Sequence, residues 1–402
     1  MQLGKAMTNP ADRIAAWHAV DPTLMVKKLK KEITSGTVGT WIVNDAVAPL
    51  DLYVYLKARF GTPNGFGMTL KNTTVDNFTH WHWTLQVDDH VIEFMGFNLY
   101  AVAYVEGYPT PSADGLAKFS ASIKADFSNH GPQMSQIRRT LEKWSIFLNP
   151  YKRLRDVIDE YASKLRSLDI DMLDLPSIPL TTDALESHRQ RWPALQQKYT
   201  EALGLGVSLR MLAPVLAEAF INTLIFLLAR PDVKSDQRIY DDVLRREIDL
   251  RVKTLHLVCM GFPGPVDTES QSFKSFLTLM NGRNDFLHGN IDPRKLQYDT
   301  VSFDGNIPLY DRYKNFSELA FVQRLIHVEP KAALNDVAIV DGFIKFLLQH
   351  LDPTSKEAVE LFMSVLNPGY RVDTKQVGIV LPSSVMHGDP RSGGEGNASI
   401  LH

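Results

Sequence analysis

The sequence predicts an α+β chain of two domains: an N-terminal mixed domain containing a small antiparallel sheet, and a C-terminal all-α antiparallel helical bundle. Three observations predict it. At 402 residues and 44% hydrophobic content, the chain is too long for one ordinary core and apolar enough to fill two. Over residues 36–108, short runs rich in Val, Tyr, Phe, Thr and Trp are punctuated by Gly61-Thr62-Pro63-Asn64-Gly65 and Asp88-Asp89, a texture of strands and turns. From residue 207 onward, apolar residues recur at helical spacing over long stretches with short connections, which is the pattern of a bundle. Residues 169–182, with Pro176 and Pro179, favour neither helix nor strand and mark the expected boundary. The expected units are a domain over 1–175, a bundle over 176–366 and a flexible tail over 367–402. From Ser392 the tail, with Gly393, Gly394 and Gly396, lacks the apolar residues that would offset the entropy of ordering it.

Taken in order, residues 10–34 read as two short helices broken at Asp21-Pro22, and Lys27, Lys28, Lys30 and Lys31 form the densest basic cluster, read as a solvated helix face. In residues 79–87 the alternation puts Trp81, Trp83, Leu85 and Val87 on one face and His80, His82, Thr84 and Gln86 on a polar one. After Pro109-Thr110-Pro111 the chain turns helical. Over residues 133–168, Ile137, Leu141, Trp144, Leu154, Ile158 and Leu165 keep helical spacing across a break at Asn149-Pro150, and Arg138, Arg139, Lys143, Lys152, Arg153 and Arg155 give a basic side. The bundle helices are expected at residues 207–229, 236–260, 268–288, 316–328 and 334–351, with a further one from Asp352-Pro353 to about 366. Residues 298–309 alternate weakly around Asp304-Gly305, the signal of a small hairpin.

Composition narrows the function. A net charge of -3 gives no global attraction to nucleic acid, so any RNA contact must be local. The single cysteine, Cys259, excludes an internal disulfide, and its neighbours Leu257, Val258 and Met260 predict a buried thiol in a reducing, cytoplasmic setting. No secretory signal is expected at the N-terminus. The apolar stretch 211–229 contains Pro214, Glu218 and Asn222; an ionisable residue at a bilayer centre is costly, so a helix buried in the bundle is predicted and no membrane partner.

The chemistry concentrates in residues 281–290, where an apolar helical pattern (Phe273, Phe276, Leu277, Leu279, Met280) ends among polar side chains before Gly289 and Pro293. Arg283 offers a planar, permanently charged fork that fits a phosphate, and His288 can take or give a proton near neutral pH. The same spacing recurs in Arg13 with His18 and Arg251 with His256, but only Arg283 and His288 have polar company, in Asn284 and Asp285. Upstream, Glu218 and Asn222 lie four apart and share a helix face in an otherwise apolar run. Burying them requires partners, and Arg283, Asn284 or His288 from a neighbouring helix are the expected ones. A purely structural network, with Glu218 neutralising Arg283, is the alternative reading of the same spacing.

Arg283-Asn284-Asp285-Phe286-Leu287-His288-Gly289 resembles the signature of HEPN-domain ribonucleases, an arginine followed after four to six residues by a histidine, and Glu218-Ala219-Phe220-Ile221-Asn222 resembles the pattern on the first long helix of many HEPN domains. The resemblance covers roughly residues 180–366. It implies a HEPN-like bundle and metal-independent cleavage of RNA by its own 2′-hydroxyl, leaving a 2′,3′-cyclic phosphate and a 5′-hydroxyl, with no cofactor. Arg283, His288, Asn284 and Glu218 would be catalytic and Asn222 and Asp285 supporting. It further implies a homodimer with a composite site, a defence or toxin effector, and an N-terminal domain that senses a trigger ligand or partner. Two alternatives stand beside it: a non-catalytic HEPN-like module binding a protein, nucleotide or RNA, and a metal-dependent enzyme built on His80, His82 and His90, for which no familiar ligand spacing appears.

Overall fold

The structure, a computed structural model, describes residues 9–20, 38–42, 46–70, 77, 79–97, 100–170, 182–288, 293–297, 299–311, 325 and 328–381. The chain is mixed α+β, mostly helical, and divides into two compact units. One combines residues 1–147 with 367–402; the other is residues 148–366.

The first unit is built on a five-stranded antiparallel sheet in the order β1-β3-β4-β5-β2, formed by β1 (His18–Ala19), β2 (Val38–Ile42), β3 (Trp81–Val87), β4 (His90–Gly96) and β5 (Ala101–Glu106). Helices α1 (Pro49–Phe60) and α2 (Ala113–Thr140) pack with it. Its core gathers Trp17, Trp41, Leu52, Tyr55, Leu56, Trp83, Phe94, Phe119 and Ile123. Helix α1 lies inside the stretch expected to be sheet: Pro49 opens it, and Leu52, Tyr55 and Leu56 at helical spacing turn one face inward, which overrides the β-rich composition. Residues 10–16 form a 3-10 turn followed by β1 in place of a full helix; Lys27, Lys28, Lys30 and Lys31 lie outside the described residues.

The polar face expected on β3 is covered as well. His82 and Thr84 are as buried as Trp83 because the segment 64–67 packs over them: the Asn64 side chain bonds both the backbone N–H and C=O of Thr84, and the Gly67 N–H donates to His82 Nδ1. Within this unit Tyr55 and Arg59 of α1 both donate to the Asp126 carboxylate of α2, at 2.6 and 2.5 Å, which ties the two helices.

The expected tail is structured in its first part. Residues following 367 form a hairpin, β9 (Gly369–Arg371) with β10 (Gln376–Gly378), and β9 pairs with β6 (Ser145–Ile146), so residues 369–378 complete a second sheet in place of a flexible tail. Residues 382–402, including Ser392, lie outside the described residues.

The second unit contains α3 (Pro150–Ser167), α4 (Thr182–Leu228), α5 (Pro231–Ser235), α6 (Gln237–Arg245), α7 (Ile248–Val258), α8 (Gln271–His288), α9 (Pro293–Leu296), the hairpin β7 (Val301–Asp304) with β8 (Ile307–Tyr310), α10 (Pro330–Gln349) and α11 (Pro353–Ser364). Helix α3, placed by the sequence in the N-terminal domain, belongs here: Tyr151, Ile158, Ala162 and Leu165 join the bundle core, so the division falls at 147/148 and not near 175. Asn149 starts α3 by accepting from the N–H groups of Tyr151 and Lys152. The long pattern over 236–260 is broken into α6 and α7 at Arg246-Glu247. The helix expected at 316–328 lies outside the described residues apart from Leu325 and Val328. The hairpin forms as predicted, with Gly305 (φ 62°) supplying the left-handed turn residue.

Helix α4 is the spine. Its second half, from about residue 203, is apolar nearly all round, and Leu209, Ala213, Leu216, Ala217, Phe220, Ile221, Leu224 and Ile225 are buried against its neighbours, as a core helix of a bundle requires. Residues 189–228 are long and apolar enough to cross a membrane, and this burial accounts for that composition. Cys259 lies in the same core, and burial pushes its thiol up to about 12. Half of the basic side predicted around residues 138–155 faces carboxylates: Arg138 meets Asp51, Lys152 meets Asp156, and Arg155 meets Asp159 and Asp341.

Candidate active site

The site lies within the second unit, where α4, α7, α8 and α10 bring charged side chains together. Glu218 projects from α4 with one carboxylate oxygen to each of two arginines. Its Oε1 accepts from Arg251 Nη2 of α7 at 2.5 Å, and its Oε2 accepts from Arg283 Nη1 of α8 at 3.4 Å. One turn on, Asn222 Oδ1 accepts from Arg251 Nη1 at 2.8 Å. The two arginines differ in how they are held. Arg251 has a 7% exposed side chain and two short contacts; Arg283, at 21%, has one long contact to Glu218. The Nε atoms of both are buried without a hydrogen-bond partner among the described residues.

Electrostatics follows from this sharing. A lone Glu218–Arg283 pair would cancel, but two guanidinium groups on one carboxylate leave a net positive charge. Because Arg251 takes the shorter and better-supported contact, the uncompensated charge falls on Arg283, the more accessible of the two.

Arg283 also lines a cleft of about 480 Å³ bounded by α4, α8 and α10. Along α8 its wall is Gln271, Lys274, Ser275, Thr278, Leu279, Gly282 and Arg283, a single helix face by spacing. Opposite stand Arg210 of α4 and Asp336 and Ile339 of α10. Arg210 Nε donates to Asp336 Oδ2 at 2.9 Å, and both side chains are mostly buried. Burial raises the Asp336 carboxyl above its ordinary value, against the opposing pull of Arg210.

Of the predicted residues, Glu218 and Arg283 are brought together as expected. Asn222 Oδ1 is met by Arg251, from a helix that the sequence reading did not bring here, one turn on from Glu218. Helix α8 runs through Asn284 and Asp285 and ends at His288, as the sequence predicts; the side chains of these three lie outside the described residues. Arg251 is the residue sequence reasoning passed over. Its signals were its Arg–His spacing with His256 and its place on the buried stripe of α7 with Val252 and Leu255. His256 Nδ1 is buried without a hydrogen-bond partner among the described residues. The acidic and basic pair across the cleft, Asp336 and Arg210, carried no motif.

The three histidines weighed as metal ligands, His80, His82 and His90, lie in the first unit. His82 is buried, with Nε2 3.6 Å from Glu93, and the His90 ring meets Tyr108 edge-on at 5.0 Å. Among the described residues no three His, Cys, Asp or Glu side chains group as metal ligands. No family model, curated protein or solved structure matches the chain.

Proposed function

We propose that the chain is a metal-independent endoribonuclease of the HEPN type, with Arg283 and His288 as its catalytic pair. The observation that carries this reading is the sharing of Glu218 between Arg283 and Arg251. It leaves a positively charged, partly accessible guanidinium on the helix that ends at His288, and that guanidinium also lines a cleft.

In this mechanism the RNA 2′-hydroxyl attacks the adjacent phosphorus, and the 5′-oxygen leaves. His288 assists proton transfer at the nucleophile or the leaving oxygen, and Arg283 stabilises the charge growing on the phosphoryl oxygens. Asn284 positions phosphate or imidazole, Glu218 holds Arg283, and Asn222 and Asp285 support the site, Asn222 through Arg251. Since DNA lacks the attacking hydroxyl, the activity is selective for RNA. The active form is a homodimer in which the two copies contribute to a composite site, and the first unit acts as the sensor that restrains it in a cytoplasmic defence or toxin role.

The test is incubation of the purified chain with mixed RNA in excess chelator, followed by analysis of fragment ends. Fragments with 2′,3′-cyclic phosphate ends are expected, with rates falling by about 10²-fold or more in Arg283→Ala and in His288→Ala. Cleavage unchanged in both variants would overturn the assignment. The ion pairing of Arg283 by Glu218 also suits a second reading, a non-catalytic HEPN-like binding module. Growth arrest on overexpression that His288→Ala leaves intact would favour it.

A further inference from the structure

The five strands of the first unit's larger sheet hold no Lys or Arg and only two acids, Glu93 of β4 and Glu106 of β5. Both acids fall on the same face. Trp83, Phe94, Ala103 and Trp41 lie side by side in register across β3, β4, β5 and β2 and join the core, which fixes one face as the inner one. Alternation therefore sends Glu93, Tyr104 and Glu106 to the other. Tyr104 stands directly opposite Glu93 in the ladder, and Glu106, two residues on, is the diagonal neighbour of Glu93. Opposed side chains on one face stand about 5 Å apart and diagonal ones roughly 7–8 Å, so the tyrosine lies beside both carboxylates. Like charges this close call for a counter-charge, and neither acid meets a Lys or Arg among the described residues.

A second observation concerns His82. Its side chain is 3% exposed and accepts the Gly67 N–H at Nδ1, so the ring's hydrogen is on Nε2. Nε2 has no hydrogen-bond partner among the described residues and stands 3.6 Å from Glu93 Oε1. A buried N–H left unanswered is costly, and Glu93 is the acceptor within reach. A hydrogen in that place serves Oε1 and denies a metal ion the ring's lone pair. The other oxygen, on a side chain 37% exposed, is left for a ligand.

The aromatic member of the cluster is set for the same kind of ligand. Burial, then Tyr100 and Glu93, raise the Tyr104 phenol above its ordinary value, so it remains neutral beside the acids. The face of a neutral aromatic ring attracts an organic cation.

We infer that the sheet face opposite this core binds a small diamine, with one ammonium group on Glu93, the other on Glu106, and the alkyl chain along Tyr104. The spacing of the carboxylates suits two ammonium groups joined by a short carbon chain, and the ring suits both the chain and the charge. A hard metal ion fits poorly, because it takes about six or more oxygen ligands and two carboxylates offer fewer.

Titration calorimetry of the full chain at about 0.15 M salt tests this, with putrescine, butylamine and magnesium chloride as probes. Putrescine is expected to bind about 10-fold tighter than butylamine, which satisfies only one carboxylate. Glu93→Gln is expected to weaken putrescine about 10-fold, and Glu106→Gln to bring it down to the affinity of butylamine. Tyr104→Leu is expected to cost roughly 3-fold, while Tyr104→Phe, which keeps the ring, leaves the affinity unchanged. Asp114→Asn, at an exposed acid in the first turn of α2, alters the net charge by the same amount and is expected to have no effect. Absence of putrescine binding, magnesium displacing it at equal concentration, or a loss in Asp114→Asn as large as that in Glu93→Gln would overturn the proposal. RNA cleavage plays no part in the readout, so failure of the ribonuclease reading leaves this site standing, and the reverse.

Discussion

Arg251 shows how a nearly buried residue can set the charge of a more accessible one. Its guanidinium satisfies Asn222 and half of Glu218, and so determines how much of the carboxylate remains for Arg283. In Arg251→Met, Glu218 is expected to close on Arg283 and quench it, lowering RNA cleavage at least 10-fold. The chain should lose roughly 2–3 kcal/mol, as removal of one partner from a largely buried pair costs. Denaturant unfolding beside the cleavage assay checks both; a stable, fully active variant would show that Glu218 does not govern Arg283. Asp336 presents the opposite case, a carboxylate whose surroundings disfavour its charge. Its folded-state value is raised by burial, so the stability of the neutral form is complete below the ordinary carboxylate value and is lost as pH rises through the raised one. Asp336→Asn is therefore expected to melt at the same or a higher temperature at pH 7 and to flatten that acid-side slope. A melting point several degrees lower would mean that Arg210 outweighs burial.

At the scale of elements, much of the site could be read from the chain because helices convert spacing into direction. Glu218 and Asn222, four apart, do share a face, and the helix bearing Arg283 does end at His288. What spacing could not supply was that a second neighbouring helix, α7, also reaches this face of α4, and so Arg251 was missed. Strand patterns misled for a related reason: alternation at His82 and Thr84 signals a solvated face only when nothing covers it, and Asn64 with residues 65–67 does. Asn149 shows how much one cap can join. Besides starting α3, its side-chain amide donates to the Phe362 and Val365 carbonyls, at 2.8 and 3.0 Å, and its backbone N–H to Leu366. Asn149→Ala leaves buried carbonyls unanswered as well as removing the cap, and is expected to cost about 2–3 kcal/mol, measurable as a lower urea midpoint. A loss near 0.5 kcal/mol, typical of a surface cap, would show that the bonds to α11 contribute little.

For the whole molecule, the mixed α+β class and the helical second half followed from texture and period, whereas the unit boundaries did not. Composition marked residues 169–182 as a linker, but a boundary is set by which core a helix joins, and α3 joins the bundle. The pairing of β6 with β9 was invisible because each strand is two or three residues long and their partners are separated by the entire second unit. The bundle is thus an insertion, with Asn149 and Leu366 hydrogen-bonded where it enters and leaves. Synthesis proceeds from one end, so β6 emerges from the ribosome long before its partner does. A nascent chain can close its five-stranded sheet early, but its smaller sheet waits until the segment carrying both arginines has been translated in full, and a chain that stops short within the bundle never completes its N-terminal unit.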